Sequence, residues 1–441
     1  MPCRALPWDE RKAAKINKQG GHAPEESSMA DGRSSEAEFD ALMRRAALYP
    51  VFQPVVDLST GDTVGYEALI RGPSGTAFAT PERLFRQGAK AGRLAELDWV
   101  CRAAVCRAAI ASCLPRYVPL FVNTEPAALL TPAPAQLIET FQGAAQQLQV
   151  VVEISARTLA EDPAGLLAAV SGVRASGLRV VLEDVGDESV LSMLPLLSPD
   201  VIKFDREIVQ DRTTPSVSAV VNAVLAEAER TGATVVAEGI ESEQHLAAAR
   251  SMGATLGQGW FFGRPEPLPA ELPAQGADLP RVPVAEDGGT PYEIAAGRRP
   301  VHRADRDTLG HLSRHLENQC PRLPEPPVLL AAFQQADRFD EATGERYRPL
   351  AERSALTAVF ARGIADAPGD SISGVRLADD DPLTREWTVV VVGAHFAGGL
   401  FATERDPGQY DYVLTYDRAT VLAAALPLLR RMMPEGAATF W

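Results

Sequence analysis

The sequence predicts an α/β protein: a (β/α)8-like barrel with an antiparallel first strand, followed by a smaller α/β domain. Three observations carry this. Between Val51 and Phe262, strand-like apolar runs alternate with Ala/Leu-rich segments of helical period. The first two runs are separated only by Ser59-Thr60-Gly61-Asp62, a hairpin-length turn with no room for a crossover helix, so they pair antiparallel. A proline-dense stretch, 266–294, then precedes a second mixed pattern that runs to residue 441.

Taken in order, residues 1–35 are polar and without apolar period, and are expected to be disordered; Met29 is a candidate start. Order should begin with a short helix, Ala37–Leu48. The strands are Val51–Leu58, Val64–Ile70, Leu120–Asn123, Val150–Ile154, Leu178–Val185, Val201–Asp205, Thr234–Glu238 and Thr255–Phe262. Helices are read at Ala95–Cys113, Pro134–Gln147, Ser216–Arg230 and Ser242–Met252, and the barrel domain spans 36–265. Proline at the density of 266–294 makes a stiff linker that cannot sustain helix. The second domain, 295–441, should hold a helix at Thr308–Leu316, a strand at Pro327–Phe333 and a helix around Arg353–Arg362. Strands at Thr388–Val392, Phe396–Thr403 and Tyr412–Tyr416 and a closing helix Ala419–Met432 complete it.

Composition narrows the function. The 441 residues are 46% hydrophobic and 23% charged, which fits a globular chain with a full core. Lys and Arg number 43 against 58 Asp and Glu, a net charge of −15, which argues against a dedicated DNA or RNA binder. No apolar run reaches the roughly 18 residues of a membrane span. There is no signal-like N-terminus, and the five cysteines form no disulfide framework, so a reducing cytoplasm is expected. Cys101, Cys106 and Cys113 read as buried thiols of one helix. His311 and His315 read as a solvated helix face, and His395 as a satisfied core histidine.

The chemistry is concentrated at strand ends. Glu67, Asn123, Glu153, Glu183 with Asp184, Lys203 with Asp205, Glu238 with Glu241, and Gln258 all lie where a barrel keeps its catalytic groups. Burying one carboxylate is costly unless it is paired or bound to a cation. Acids ending several strands at one rim point to a site for Mg2+ or Mn2+, which take oxygen ligands, and two such ions would clamp a phosphate ester.

Tyr66-Glu67-Ala68-Leu69-Ile70-Arg71 resembles the signature of the EAL-domain cyclic di-GMP phosphodiesterases. The resemblance runs from about Tyr49 to Pro265 and takes in Phe52-Gln53-Pro54, Val122-Asn123, Val152-Glu153-Ile154, Val201–Asp205, Ala237–Glu241 and Gln258–Phe262. It implies metal-dependent hydrolysis of cyclic di-GMP to linear pGpG. It implies that Glu67, Asn123 and Glu153 hold the first metal, that Glu183 bridges both, and that Asp184 holds the second. Glu238 and Lys203 would bind or orient the nucleophilic water, with Glu241 in support. Gln258, Gln53 and Arg71 would face the dinucleotide, and a homodimer through the barrel is a further partner to test.

The chain departs from that family in three places. Glu183 stands where Asp is usual, which displaces a carboxylate by on the order of 1 Å when Mg2+ demands near-ideal distances. The loop Val185–Ser192 lacks the family's Phe, second glycine and Tyr. The acid that anchors this loop is here Ala156. A degenerate barrel that binds cyclic di-GMP, or only a protein, without hydrolysis is therefore the rival reading. The C-terminal region resembles the DICT sensory domain through Ala336–Phe339, Glu386–Val390 and Phe396–Leu400; a sensor of an acidic or apolar small molecule and a protein-docking module are equally open, and it is expected to regulate the barrel.

Overall fold

The computed structural model describes residues 28–45, 47–132, 134–160, 162–211, 214–283 and 288–433. A helix, Ser28–Arg45, precedes the sheet, so its backbone begins inside the stretch expected to be disordered; residues 1–27 lie outside the described ones. Eight strands close into a barrel: β1 Tyr49–Asp57, β2 Thr63–Arg71, β3 Pro119–Asn123, β4 Gln149–Ser155, β5 Arg179–Val185, β6 Val201–Phe204, β7 Thr234–Ala237 and β8 Leu256–Gly257. β1 runs antiparallel to β2, with Tyr49 opposite Arg71, and β2 runs parallel to β3. The hairpin at residues 58–62 leaves no other option, since Asp57 Oδ1 accepts from Ser59 N and Gly61 takes φ +82°.

Val150, Val151, Val152 and Ile154 of β4 are at most 4% exposed, because the lumen covers one face and helices the other. By density of contact the described chain resolves into two units, one ending at Glu153 and including Gln258–Asp278, the other Ile154–Gly257 with the residues from Leu279 on. The division falls at the boundary Glu153/Ile154 in β4 and just after Gly257, the end of β8.

Two expectations about the barrel are corrected. β8 stops at Gly257 rather than Phe262: Phe262 N and Gly263 N both bond to Gly259 O, a turn that puts Trp260 and Phe261 on the surface. Cys113 lies outside the helix Leu94–Ala111 and is exposed at φ +55°, one step past the helical stop, while Cys101 and Cys106 are core thiols, with burial pushing Cys106 up to about 12.

The proline-rich stretch is not a detached spacer. Phe52 and Glu266 exchange backbone hydrogen bonds, Ala277 N donates to Val64 O, and Tyr117 Oη donates to Pro273 O. Further along, Leu279 and Val282 are 2% and 3% exposed, and Val282 N donates to Asp200 Oδ1 at 2.7 Å.

The C-terminal region forms a seven-stranded sheet: β9 His302–Asp305, β10 Val328–Gln335, β11 Leu356–Arg362, β12 Ser373–Arg376, β13 Glu386–Val392, β14 Ala397–Asp406 and β15 Gln409–Thr415, in the order β12-β11-β10-β13-β14-β15-β9. Val389 and Val391 pack into a core with Leu309, Leu316 and Tyr347, while the alternate residues Val390 and Val392 are buried on the opposite face.

The helix expected around Arg353–Arg362 is strand β11. Leu356, Ala358, Val359 and Phe360 are buried on both faces and the strand pairs parallel with β10, so no polar alternation marks it in the sequence. The helix is Glu341–Ala351, capped by Asp340 through Thr343 N. His395 is not in the core: it is exposed in the turn between β13 and β14, closed by Gly393 N to Phe396 O at 2.8 Å.

Candidate functional site

A carboxylate oxygen from each of Glu67, Glu153 and Glu183 lies within 4.8 Å of the other two. Glu67 is 6% exposed and Glu153 fully buried. Like charges packed so closely repel unless a cation sits among them, and an all-oxygen donor set suits a hard divalent ion. The residues present therefore fit Mg2+ or Mn2+.

Neighbouring groups fix Glu67 on both sides. Asn123 Nδ2, at the end of β3, donates to its Oε1 at 2.8 Å, which leaves the Asn123 carbonyl oxygen as a further donor atom. Gln258 Nε2 donates to Glu67 Oε2 at 2.6 Å and to Gln53 Oε1 at 2.9 Å, and Gln53 Nε2 reaches Gly263 O at 3.2 Å. Asn123 and Gln258 thus each bond one oxygen of the Glu67 carboxylate, and Gln53 in turn holds Gln258.

β5 explains how consecutive acids come to lie at one strand end. The β5–β6 register steps from Leu182 opposite Ile202 to Val185 opposite Phe204, so Glu183 and Asp184 together face the single Lys203 position. That is a β-bulge, and Asp184 takes the left-handed φ of +56° that it needs. The bulge sends the two acids to different partners. Glu183 joins the cluster, while Asp184 Oδ2 accepts from Ser155 Oγ at 2.8 Å and lies 3.4 Å from Arg157 Nε.

Arg157 stands on the 3-10 turn Ala156–Ala160, directly after β4. Its Nη2 also donates to Asp205 Oδ2 at 2.7 Å. The Asp205 bond and then the Asp184 charge hold its guanidinium above its usual pKa. The sequence reading missed Arg157 and Ser155; their one signal was position, within four residues of Glu153 on the strand-to-turn exit.

Lys203 is 1% exposed along its side chain, and its Nζ meets Glu238 Oε1 at 2.5 Å. The remaining candidates stand apart from these contacts. Glu241 is exposed in the loop after β7. Arg71 turns back so that Nη1 donates to Ile70 O at 2.8 Å.

The altered loop after β5 is a short 3-10 turn, Glu188–Val190. Asp187 caps it through Ser189 N at 2.7 Å, and Val190, Leu191 and Met193 are at most 2% exposed.

A closed barrel with one antiparallel strand and three acids converging near its strand ends defines an α/β barrel with an acidic cluster at one rim. Residues 36–265, just over half of the chain, match the family model of the EAL domain, and the chain belongs to that family. Residues 294–405 match DICT, described as a sensory domain in diguanylate cyclases and two-component systems. A protein of Azorhizobium caulinodans is 35% identical over 242 residues, covering 52% of this chain and 33% of its own. A cyclic di-GMP phosphodiesterase of Pseudomonas aeruginosa is 28% identical over 246 residues, covering 53% of this chain and 40% of its own. The chain thus spans well under half the length of these relatives. Among solved structures, Klebsiella pneumoniae BlrP1 with calcium and cyclic di-GMP is 29% identical, covers 50% of this chain and 56% of its own, and has a TM-score of 0.44. Among the described residues no helix is long and apolar enough to cross a membrane.

Proposed function

We propose that the barrel hydrolyses one phosphodiester bond of cyclic di-GMP to give linear pGpG, with Mg2+ or Mn2+ as cofactor. The observation that carries this reading is the convergence of Glu67, Glu153 and Glu183 within 4.8 Å. With Asn123 and Asp184, these residues would hold a pair of divalent ions. Such ions supply charge neutralisation at the phosphate and acidify water. The chain's own work is positional. Lys203 Nζ donates to Glu238 and fixes the carboxylate that accepts the proton of the attacking water. Gln258 and Gln53 keep Glu67 turned inward and, with Arg71, face the dinucleotide; Glu241 supports the Glu238 loop. The DICT region regulates this activity.

A second reading is supported by Arg157. Its contact with Asp184, together with the Ser155 bond, holds the proposed second-metal ligand in other company. That favours a receptor that binds cyclic di-GMP without turnover.

One experiment separates the two. Purified protein is incubated with cyclic di-GMP and Mn2+ or Mg2+, and pGpG is followed by chromatography beside Glu67→Ala. Hydrolysis lost in Glu67→Ala supports the enzyme; binding with no pGpG at any metal concentration assigns the receptor.

A further inference from the structure

The C-terminal region carries a cleft of about 260 Å3 that the barrel chemistry does not use. Its floor is the helix Arg306–Glu317, on which Arg306, Gly310, Ser313, Arg314 and Glu317 share one side at i, i+4, i+7, i+8 and i+11. Ser313 is 3% exposed, yet its hydroxyl has no hydrogen-bond partner among the described residues. A buried hydroxyl left unmatched is costly, and since Ser313 lines the cleft a rotamer turn would bring its oxygen to a ligand there.

The charges in the cleft are unequally committed. Glu317, 2% exposed, accepts from Arg346 Nε and Tyr347 Oη, both at 2.9 Å, so its charge is already balanced. Asp340 is occupied capping the next helix through Thr343 N at 2.9 Å. Asp307 is the remaining acid of the lining. Against it stand Arg306, Arg314 and Arg338, none of which makes an ion pair among the described residues; Arg314 Nη2 contacts only the His311 ring, at 3.2 Å. The opposite wall is aromatic: half-buried Phe333 and Trp387, with Trp387 edge-on to Tyr410 at 6.0 Å. Arg338 and Tyr410 also line an adjoining cleft of about 580 Å3.

We propose that this cleft binds a small organic phosphate monoester with a flat ring. The three guanidiniums that make no ion pair among the described residues match a dianionic phosphate through paired N–H donors. The Ser313 hydroxyl adds a bond at the floor, and the aromatic wall takes the ring. The volume suits a ligand no larger than a nucleoside monophosphate.

The test is calorimetric titration of the full chain, in buffer with EDTA, with phenyl phosphate and AMP as probes and benzoate as the carboxylate control. Phenyl phosphate or AMP should bind one to one. Arg338→Glu and Arg314→Glu should each weaken binding by roughly tenfold or more, since each removes a charged hydrogen bond. Both arginines are exposed, so the fold should survive, with circular dichroism as the check. Ser313→Ala should weaken binding by less, and Glu67→Ala, in the barrel, should leave it unchanged. No binding of either phosphate at about 5 mM overturns the proposal. So do binding indifferent to both arginine variants, binding lost in Glu67→Ala, and benzoate bound more tightly than phenyl phosphate.

Discussion

Replacing Arg157 by alanine should make the barrel easier to load with metal. In the structure Arg157 Nη2 is 2.7 Å from Asp205 Oδ2 and its Nε 3.4 Å from Asp184 Oδ2. A cation bound through the same Asp184 oxygen would compete with that guanidinium. The side chain is 70% exposed, so solvent screens the pair, and a pair of this kind is worth about 0–1 kcal/mol. At about 1.4 kcal/mol per tenfold, the Mn2+ concentration for half-saturation should fall by up to about fivefold. The gain should shrink as salt is raised from about 0.05 to 0.5 M, since the Debye length falls across that range. Arg157→Lys keeps a positive charge and should retain much of the wild-type requirement. The assay is Mn2+ titration with two readouts, pGpG formation and free Mn2+ by electron paramagnetic resonance, the second independent of turnover. A half-saturation point that is unchanged or higher in Arg157→Ala would refute competition between Arg157 and metal.

Other expectations follow from the same contacts. Glu183→Asp should raise hydrolysis or lower the metal requirement, more clearly for Mg2+ than for Mn2+; no gain over an inactive parent favours the receptor reading. Asp98 and Arg102 form a pair 3% and 1% exposed, with Arg102 stacked 3.8 Å over Trp99, so Arg102→Met should cost about 3–5 kcal/mol in denaturant melts by stranding a buried carboxylate, and Asp98→Asn combined with it should recover part of that. Burial raises the Glu386 carboxyl from 4.5 to about 7, so the folded state holds this proton more tightly than the unfolded chain. The stability it contributes is complete below about pH 4.5 and lost as pH rises through about 7, on the order of 3 kcal/mol. Hydrogen exchange of the β13 amides should report this slope, and an unaltered slope in Glu386→Gln would exclude Glu386 as its source.

Much of the site was legible because several strands carry, at or near their ends, a residue whose chemistry conflicts with burial. Glu67, Asn123, Glu153 and Lys203 interrupt runs of Val, Leu and Ile, and no packing argument accounts for them. The hairpin turn at 59–62 likewise fixed the direction of β1 from sequence alone. What could not be read depends on register or on contacts distant in sequence. The bulge at Glu183-Asp184 is a property of two strands together, and nothing in either strand marks the slip. Arg157 meets Asp205 across 48 residues. β11 carries no alternation because helices and sheet neighbours cover both its faces. Helix is absent from the described residues 266–283, but the helix Pro291–Ala296 begins inside the stretch expected to exclude one, with Pro291 tolerated in its first turn, and proline content says nothing about whether a segment packs. Leu279 and Val282 were the apolar residues that indicated it does.

The departures at Ala156, Glu183 and the loop after β5 have one structural sense when taken together. With Ala156 6% exposed and unable to accept a hydrogen bond through its side chain, the turn offers the loop no acid to hold. The loop is held instead by Val190, Leu191 and Met193, buried side chains worth roughly 1.5–3 kcal/mol each if fully removed from water. An apolar anchor has no charge, so a cation at Glu183 cannot pull on it as it would on a carboxylate. The ion pairs at the β4 exit are those of Arg157 with Asp184 and Asp205. Arg157 is thus the exposed charge in contact with Asp184 and Asp205, and the loop is held by buried side chains that carry none.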